Sequence, residues 1–190
     1  MKRRKTKLFI ITLIMPFVLE TITLAEGMKS IREFPIPGQG ILELTLPASW
    51  HDEIYRTKED QPPSIILKPK SGDNFYCWIT ILWPKNGEPG FNHPDRIKAF
   101  VKQEGEMFLN QAVENQILLH ELQGSYSIGY FFTLTDKAPK RGEFKYMTRG
   151  GIGVGNLLLR FTILYHKKDS PSLKDVLLTL QEVRQRKERF

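Results

Sequence analysis

Four histidines are the side chains of this sequence best suited to acid–base or metal chemistry. They are His51, His93, His120 and His166. Metal sites commonly place two His or Cys ligands within a few residues of each other, and no such spacing occurs here. The sequence therefore predicts no metal or cofactor site, although separated ligands could still converge in the folded chain.

Motifs for nucleophilic or acid–base catalysis are also missing from the sequence. There is no Gly-x-Ser-x-Gly elbow and no cysteine-protease signature. Glu104 and Glu106 lie two residues apart in a predicted helix, so their side chains point to different faces and cannot act as a pair. We therefore expect a non-enzymatic protein. The alternative is an envelope hydrolase or other enzyme whose site is assembled from dispersed residues such as His51, His93 and Glu121.

The glycine-rich segment 150–155 (GGIGVG) has the composition of a phosphate-binding loop. Such a loop needs a helix directly after it, because the free amides at the helix start hold the anion. A strand pattern follows this segment instead, and no Lys-Ser/Thr pair completes the motif. We therefore predict a hairpin turn at these glycines.

Four aromatic residues fall at predicted strand ends or in loops, where the core does not obviously need them. They are Trp50, Tyr55, Trp83 and Phe91. Aromatic residues in loops often anchor contacts with other molecules. These four are the candidate partner-binding residues, and the alternative is that they cover the edge of the core.

The first 25 residues have the pattern of a secretory signal peptide. A basic start at residues 2–7 precedes an apolar run at residues 8–19, and a short polar segment ends at Ala25. Cleavage is expected between Ala25 and Glu26, which predicts a periplasmic or secreted protein. The alternatives are an uncleaved membrane anchor, which would need about 20 apolar residues, and a true start at Met28.

Removal of the signal segment changes the charge of the chain. The full sequence has 28 Lys+Arg and 21 Asp+Glu, a net charge of +7. Residues 1–25 hold five of these bases and one of the acids, so the remainder carries 23 bases and 20 acids, or +3. With so small an excess, nucleic acid is not an expected partner. Membrane contact is expected only through the signal segment, if it stays uncleaved.

The rest of the sequence predicts one α+β domain over residues 41–184. An extended N-terminal arm (26–40) precedes it and a basic C-terminal tail (185–190) follows it. The single cysteine, Cys77, cannot form an internal disulfide and is predicted to be a buried, inert thiol.

Periodicity indicates the elements of this domain. Strands are predicted at residues 41–46, 64–68 and 75–83, the last covered on both faces, and residues 51–63 are predicted as a loop or short helix. Helices are predicted from Pro94 and from Ser170 or Ser172. Between them, a two-residue period starting at Val113 predicts four strands in an antiparallel meander against which the helices pack.

Three segments carry a resemblance to a known family. They are the opening strand that ends in Leu46-Pro47-Ala48-Ser49-Trp50, the helix of residues 94–109 with the meander containing Gly129-Tyr130-Phe131-Phe132, and the last strand, 157–165, leading into the C-terminal helix. Over about residues 41–184, the chain resembles the PsbP-like α/β/α sandwich family, which includes bacterial exported proteins. The resemblance implies a non-enzymatic binding or assembly role and supplies no catalytic residues. We therefore expect an exported accessory domain that binds a protein partner or a small ligand.

Overall fold

The structure is a computed structural model that describes residues 28–56, 62–72, 74–84, 87–126 and 128–187. The predicted signal segment and its cleavage site at Ala25 and Glu26 lie outside these residues. Within the described part of the chain, no helix is long and apolar enough to cross a membrane.

The described residues form ten strands, two α-helices and one short 3₁₀ helix. The strands are β1 (Lys29–Ile36), β2 (Gly40–Pro47), β3 (Trp50–Tyr55), β4 (Ser64–Pro69), β5 (Phe75–Leu82), β6 (His120–Gln123), β7 (Ile128–Thr135), β8 (Tyr146–Val154), β9 (Leu157–Tyr165) and β10 (Arg184–Arg186). The helices are α1 (Pro94–Phe108), the 3₁₀ helix (Leu109–Gln111) and α2 (Pro171–Glu182).

Seven strands form a large antiparallel sheet in the order β3-β4-β5-β9-β8-β7-β6. Strands β6 to β9 are consecutive neighbours, so the predicted antiparallel meander is confirmed. Both predicted helices are present, each with a proline in its first turn. The α+β fold class is therefore confirmed.

The two faces of the large sheet are covered by different elements. Its inner face packs against α2 and a small sheet, and the main core lies between these layers. This core includes Leu44 of β2, Ile79 of β5, Phe161 of β9 and Leu180 of α2. The outer face packs against α1, which rests mainly on β7 and β8. The molecule therefore has three layers, with the large sheet in the middle.

The small sheet, β1-β2-β10, corrects the predicted arm and tail. β1 pairs with β2 along its whole length, from Lys29 opposite Pro47 to Ile36 opposite Gly40, and β10 pairs with the other edge of β2. The prediction of an arm was based on the prolines near residue 36. Pro35 is tolerated because β1 is an edge strand, where a backbone N–H is dispensable. The domain therefore includes residues that were assigned to the arm and the tail.

Two further predictions about strands are wrong. β3 occupies residues predicted as a loop or short helix. As an edge strand it carries charged side chains such as Asp52 and Glu53, which hide the alternation that identifies a strand. Conversely, residues 113–119 are not a strand: an isolated bridge joins Ala112 to Asp136, and the edge strand β6 begins only at His120.

Three of the four glycines of segment 150–155, Gly150, Gly151 and Gly153, lie in strand β8, so the predicted hairpin turn is confined to the end of the segment. The turn after β8 contains only Gly155, with φ of +58°, and Asn156. A Cβ atom on Gly150 would clash with the carbonyl oxygen of Tyr130 on the neighbouring strand β7, and it would also lie 2.6 Å from Cζ of Phe161. Glycine is therefore needed here because the adjacent backbone and the Phe161 ring leave no room for a side chain.

Candidate functional site

Part of the outer face of the large sheet is left uncovered beside α1. Three aromatic side chains on it, Tyr55 of β3 and Tyr76 and Trp78 of β5, are 45%, 44% and 44% exposed. With the half-buried Ile66 of β4 and Phe144 of the loop before β8, they form a continuous surface that we call the open aromatic face. Groups of exposed apolar side chains of this kind commonly mark interaction sites.

The alternation of β5 explains why aromatic residues point outward here. Phe75, Cys77 and Ile79 point into the main core, so Tyr76 and Trp78 must point to the outer face. The sequence predicted a strand covered on both faces, because both of its faces are apolar. That prediction is wrong at these two positions, since α1 packs on the other half of the sheet.

Contacts between the rings hold the open aromatic face in a defined shape. The rings of Tyr55 and Trp78 meet edge to face with centroids 6.1 Å apart, and those of Tyr76 and Phe144 do so at 5.8 Å. Phe144 also stacks on His166, with centroids 4.8 Å apart. Edge-to-face contacts restrict ring orientation, so the surface is largely formed before anything binds to it.

A pocket of about 200 Å³ adjoins the open aromatic face at the end of α1. Phe108 of α1, Leu134 of β7, Met147 of β8 and Leu164 of β9 form much of its apolar wall. Phe144 belongs to both the pocket and the face, so the two are continuous. The combined surface can accept a projecting apolar side chain next to a flatter contact area.

A buried ion cluster borders the open aromatic face on the side of α1. The Glu104 side chain is only 8% exposed, and its carboxylate accepts hydrogen bonds from Arg149 Nε at 3.2 Å and Arg149 Nη2 at 3.0 Å. Arg160 also donates to the same carboxylate. The guanidinium of Arg160 lies 4.7 Å from the ring centroid of Phe100, and that of Arg149 lies 5.4 Å from that of Phe108. The cluster therefore links α1 to β8 and β9.

Sequence reasoning considered Glu104 as a possible catalytic partner of Glu106 and missed this cluster. The available signal was the position of Glu104 among the apolar residues of the helix, because a carboxylate on a buried helix face needs a cation opposite it. Arg149 and Arg160 lie on the same face of the neighbouring strands β8 and β9 in diagonal positions, since Arg149 is opposite Thr162 and Arg160 is opposite Gly151. The cluster therefore joins α1 to two neighbouring strands of the sheet.

The four aromatic candidates from the sequence separate into three environments. Trp50 is 3% exposed and meets Phe75 edge to face at 5.5 Å, so it is a core residue. Trp83 is half-buried against the main core, and Phe91 is half-buried against the core under α1. Tyr55 alone among the four lies on the open aromatic face. The sequence missed Tyr76 and Trp78 because it placed them in a fully covered strand.

The structure does not bring together the residues of the alternative enzyme site. His51 on β3 and Glu121 on β6 lie on opposite edges of the large sheet, six strand spacings or roughly 29 Å apart. His93 precedes α1, where its Nδ1 accepts a hydrogen bond from the amide of Asp95 at 3.4 Å. Over the ranges that the structure describes, no three His, Cys, Asp or Glu side chains are grouped to hold a metal ion.

The thiol of Cys77 is buried in the main core, as the sequence predicted. Burial raises its pKa far above the ordinary value, because a thiolate there would lack solvation. Nucleophilic attack requires the thiolate, so this cysteine is a packing residue.

Comparison with known proteins gives information about the fold. No protein-family model matches the sequence, and no curated protein matches it significantly. The solution structure of cyanobacterial PsbP (CyanoP) from Synechocystis sp. PCC 6803 is similar at a TM-score of 0.51 and 10% identity, covering 85% of this chain and 95% of that one. A crystal structure from Bacteroides thetaiotaomicron VPI-5482 has a TM-score of 0.47 and 13% identity, covering 77% of this chain and 46% of that one. At 10% identity the likeness to CyanoP is one of fold, and the chain has a PsbP-like α+β fold.

Proposed function

We propose that the protein is an exported, non-enzymatic accessory domain that binds a protein partner through the open aromatic face. The observation that carries this proposal is the exposure of Tyr55, Tyr76 and Trp78 on one preformed sheet face. The PsbP-like fold fits an accessory domain, although a fold by itself does not determine function. The signal-like pattern of residues 1–25 supports export.

The exposed area of these three aromatic side chains is large enough to contribute substantially to binding. An aromatic side chain buries roughly 150–250 Å², so covering the exposed parts of these three rings removes roughly 250 Å² from water. At about 25 cal/mol per Å², that area corresponds to about 6 kcal/mol before the costs of association are subtracted. Trp and Tyr are also the residue types that most often dominate binding energy at protein interfaces.

The surroundings of the face favour a protein surface over a strongly charged polymer. Glu53 and Lys68 project from the same side of β3 and β4, and Thr162 of β9 is directly opposite Trp78. Charges of both signs and hydroxyl groups around an apolar centre are typical of protein interfaces. We infer a partner that presents exposed aliphatic or aromatic side chains.

The proposal is tested by capture from the envelope fraction with three forms of the tagged protein. The variants are Trp78→Ala, at the centre of the face, and Tyr126→Ala, an exposed aromatic near the opposite edge of the sheet. A partner bound by the wild type and by Tyr126→Ala, but lost with Trp78→Ala, supports the proposal. Recovery of no partner, or equal recovery with both variants, overturns it.

Two measurements complete this test. Thermal unfolding establishes that Trp78→Ala is folded, as expected for a side chain that is 44% exposed. Light scattering detects self-association: a dimer that dissociates in Trp78→Ala would make the partner a second copy of this chain and would overturn the accessory role. N-terminal sequencing tests the processing of the signal segment, because a first residue other than Glu26 contradicts the assigned cleavage site.

A further inference from the structure

A second pocket lies beside the first half of α1, on the outer side of the large sheet. Its volume is about 240 Å³. Apolar side chains form most of its wall, among them Leu82, Phe91, Phe100 and Leu158. Two arginines, Arg96 and Arg160, complete the lining. An apolar interior with cations at its wall is suited to a ligand that has an apolar body and an anionic end.

Arg160 is held in place by neighbouring side chains that leave it partly exposed. Arg160 donates to Glu104 and stacks on Phe100 with 4.7 Å from its Cζ to the ring centroid, and its side chain remains 32% exposed. Because this arginine is fixed by contacts on two sides, little conformational entropy is lost when it binds an anion.

The ion cluster beside the pocket has more cations than anions. Glu104 is shared by Arg149 and Arg160, so two guanidinium groups face one carboxylate. Arg96, from the first turn of α1, has its own carboxylate in Glu88, with Nη1 2.8 Å from Oε1, and its side chain is 52% exposed. These three arginines and two glutamates therefore carry a formal excess of one positive charge.

We propose that this pocket binds a small amphipathic carboxylate. Its apolar chain or ring lies between Phe91, Phe100 and Leu158, and its carboxylate contacts Arg160, with Arg96 at the rim. Guanidinium groups bind carboxylates with two parallel hydrogen bonds, which makes them selective for such groups. Sites for drug-sized ligands measure roughly 300–1,000 Å³, so this smaller pocket takes a short-chain or single-ring acid. The site is separate from the open aromatic face, so this proposal does not depend on the proposed function of that face.

Calorimetric titration of the protein with octanoate and 1-octanol tests the proposal. The two probes have the same chain length and differ in the charged group. We expect saturable binding of octanoate at one site and roughly tenfold weaker binding of octanol, because a hydrogen bond to a charged group is lost. No saturable octanoate binding, or equal affinity for both probes, overturns the proposal.

Three variants locate the binding site. Arg96→Gln removes an exposed charge of the pocket and should weaken octanoate binding roughly fivefold, whereas Arg184→Gln, the matched change at an exposed arginine over Tyr126, should leave it unchanged. Leu82→Trp fills the pocket while leaving both arginines in place, and it should abolish binding. If Leu82→Trp binds octanoate as tightly as the wild type, or if Arg184→Gln lowers the affinity as much as Arg96→Gln does, octanoate binds elsewhere. Either result overturns the assignment. Thermal unfolding confirms that each variant is folded.

Discussion

Replacing Glu104 by glutamine should destabilise the attachment of α1 to the large sheet. The change keeps the shape of the side chain but removes its charge and one of its two acceptor oxygens. The guanidinium groups of Arg149 and Arg160, which now share this carboxylate, would then face each other without a counter-charge. The loss therefore combines broken hydrogen bonds with new repulsion.

The expected magnitude follows from the exposure of the three side chains. Removing one partner of a fully buried ion pair costs about 3–5 kcal/mol. Glu104 is 8% exposed, but the side chains of Arg149 and Arg160 are 24% and 32% exposed, so water can solvate part of each freed cation. We therefore expect a loss of about 2–3 kcal/mol. With a urea dependence of about 2 kcal/mol per molar, the unfolding midpoint should fall by about 1–1.5 M.

Urea unfolding followed by tryptophan fluorescence measures this change. Glu106→Gln is the matched control, because Glu106 is exposed on the same helix two residues further on; its effect should stay within about 0.5 kcal/mol. A loss below about 1 kcal/mol for Glu104→Gln, or an equal loss for both variants, would refute the reasoning that this cluster holds α1 in place.

Three further predictions concern single positions elsewhere in the fold. Gly150→Ala should lower the free energy of unfolding by about 1–3 kcal/mol because its Cβ meets the carbonyl oxygen of Tyr130 and the Phe161 ring. Gly151→Ala, whose nearest contact is 3.3 Å, should cost less in the same urea assay. Burial raises the pKa of Cys77, so a thiol reagent should modify it only as the protein unfolds; rapid reaction of the native protein would contradict this. Burial also raises the pKa of Glu114, but hydrogen bonds from the backbone and side chain of Thr135 outweigh it, and the pKa is lowered overall from 4.5. Its contribution to stability is therefore present above about pH 4.5 and is lost as the pH falls through the lowered pKa; Glu114→Gln should flatten the pH dependence of unfolding there, and an unchanged profile would count against it.

Local patterns were sufficient to predict much of the fold. The apolar stripe of α2 and the alternation of β7 and β9 are strong periodic signals, and the antiparallel meander follows from short connections between strands. The prolines near residue 36 and the charged residues of β3 are untypical of strands in general, but edge strands tolerate both, so the sequence pattern did not identify β1 and β3. In both cases the missing information was which strand lies at the edge of its sheet. That depends on pairing between strands that are far apart in the sequence.

The candidate site was harder to predict than the fold, for a related reason. Strand β5, which contains Tyr76 and Trp78, has the composition of a strand covered on both faces. These two residues are exposed because α1 lies over β7 and β8 instead. The pairing of Glu104 with arginines on two strands likewise depends on how α1 lies on the sheet. Sequence periodicity indicates which residues share a face, but it does not indicate which part of that face a helix covers.

The small sheet joins the two ends of the described chain, and this determines the order in which the domain can fold. Arg186 of β10 donates hydrogen bonds to Glu33 and Glu43, which lie 153 and 143 residues earlier in the sequence. Contacts so distant in sequence carry a large loop-closure cost and form late. A chain emerging from a ribosome or a translocation pore with its N-terminus first cannot complete the small sheet until β10 has emerged. Until then, the edge of β2 that β10 covers is unpaired, and an unpaired strand edge promotes aggregation.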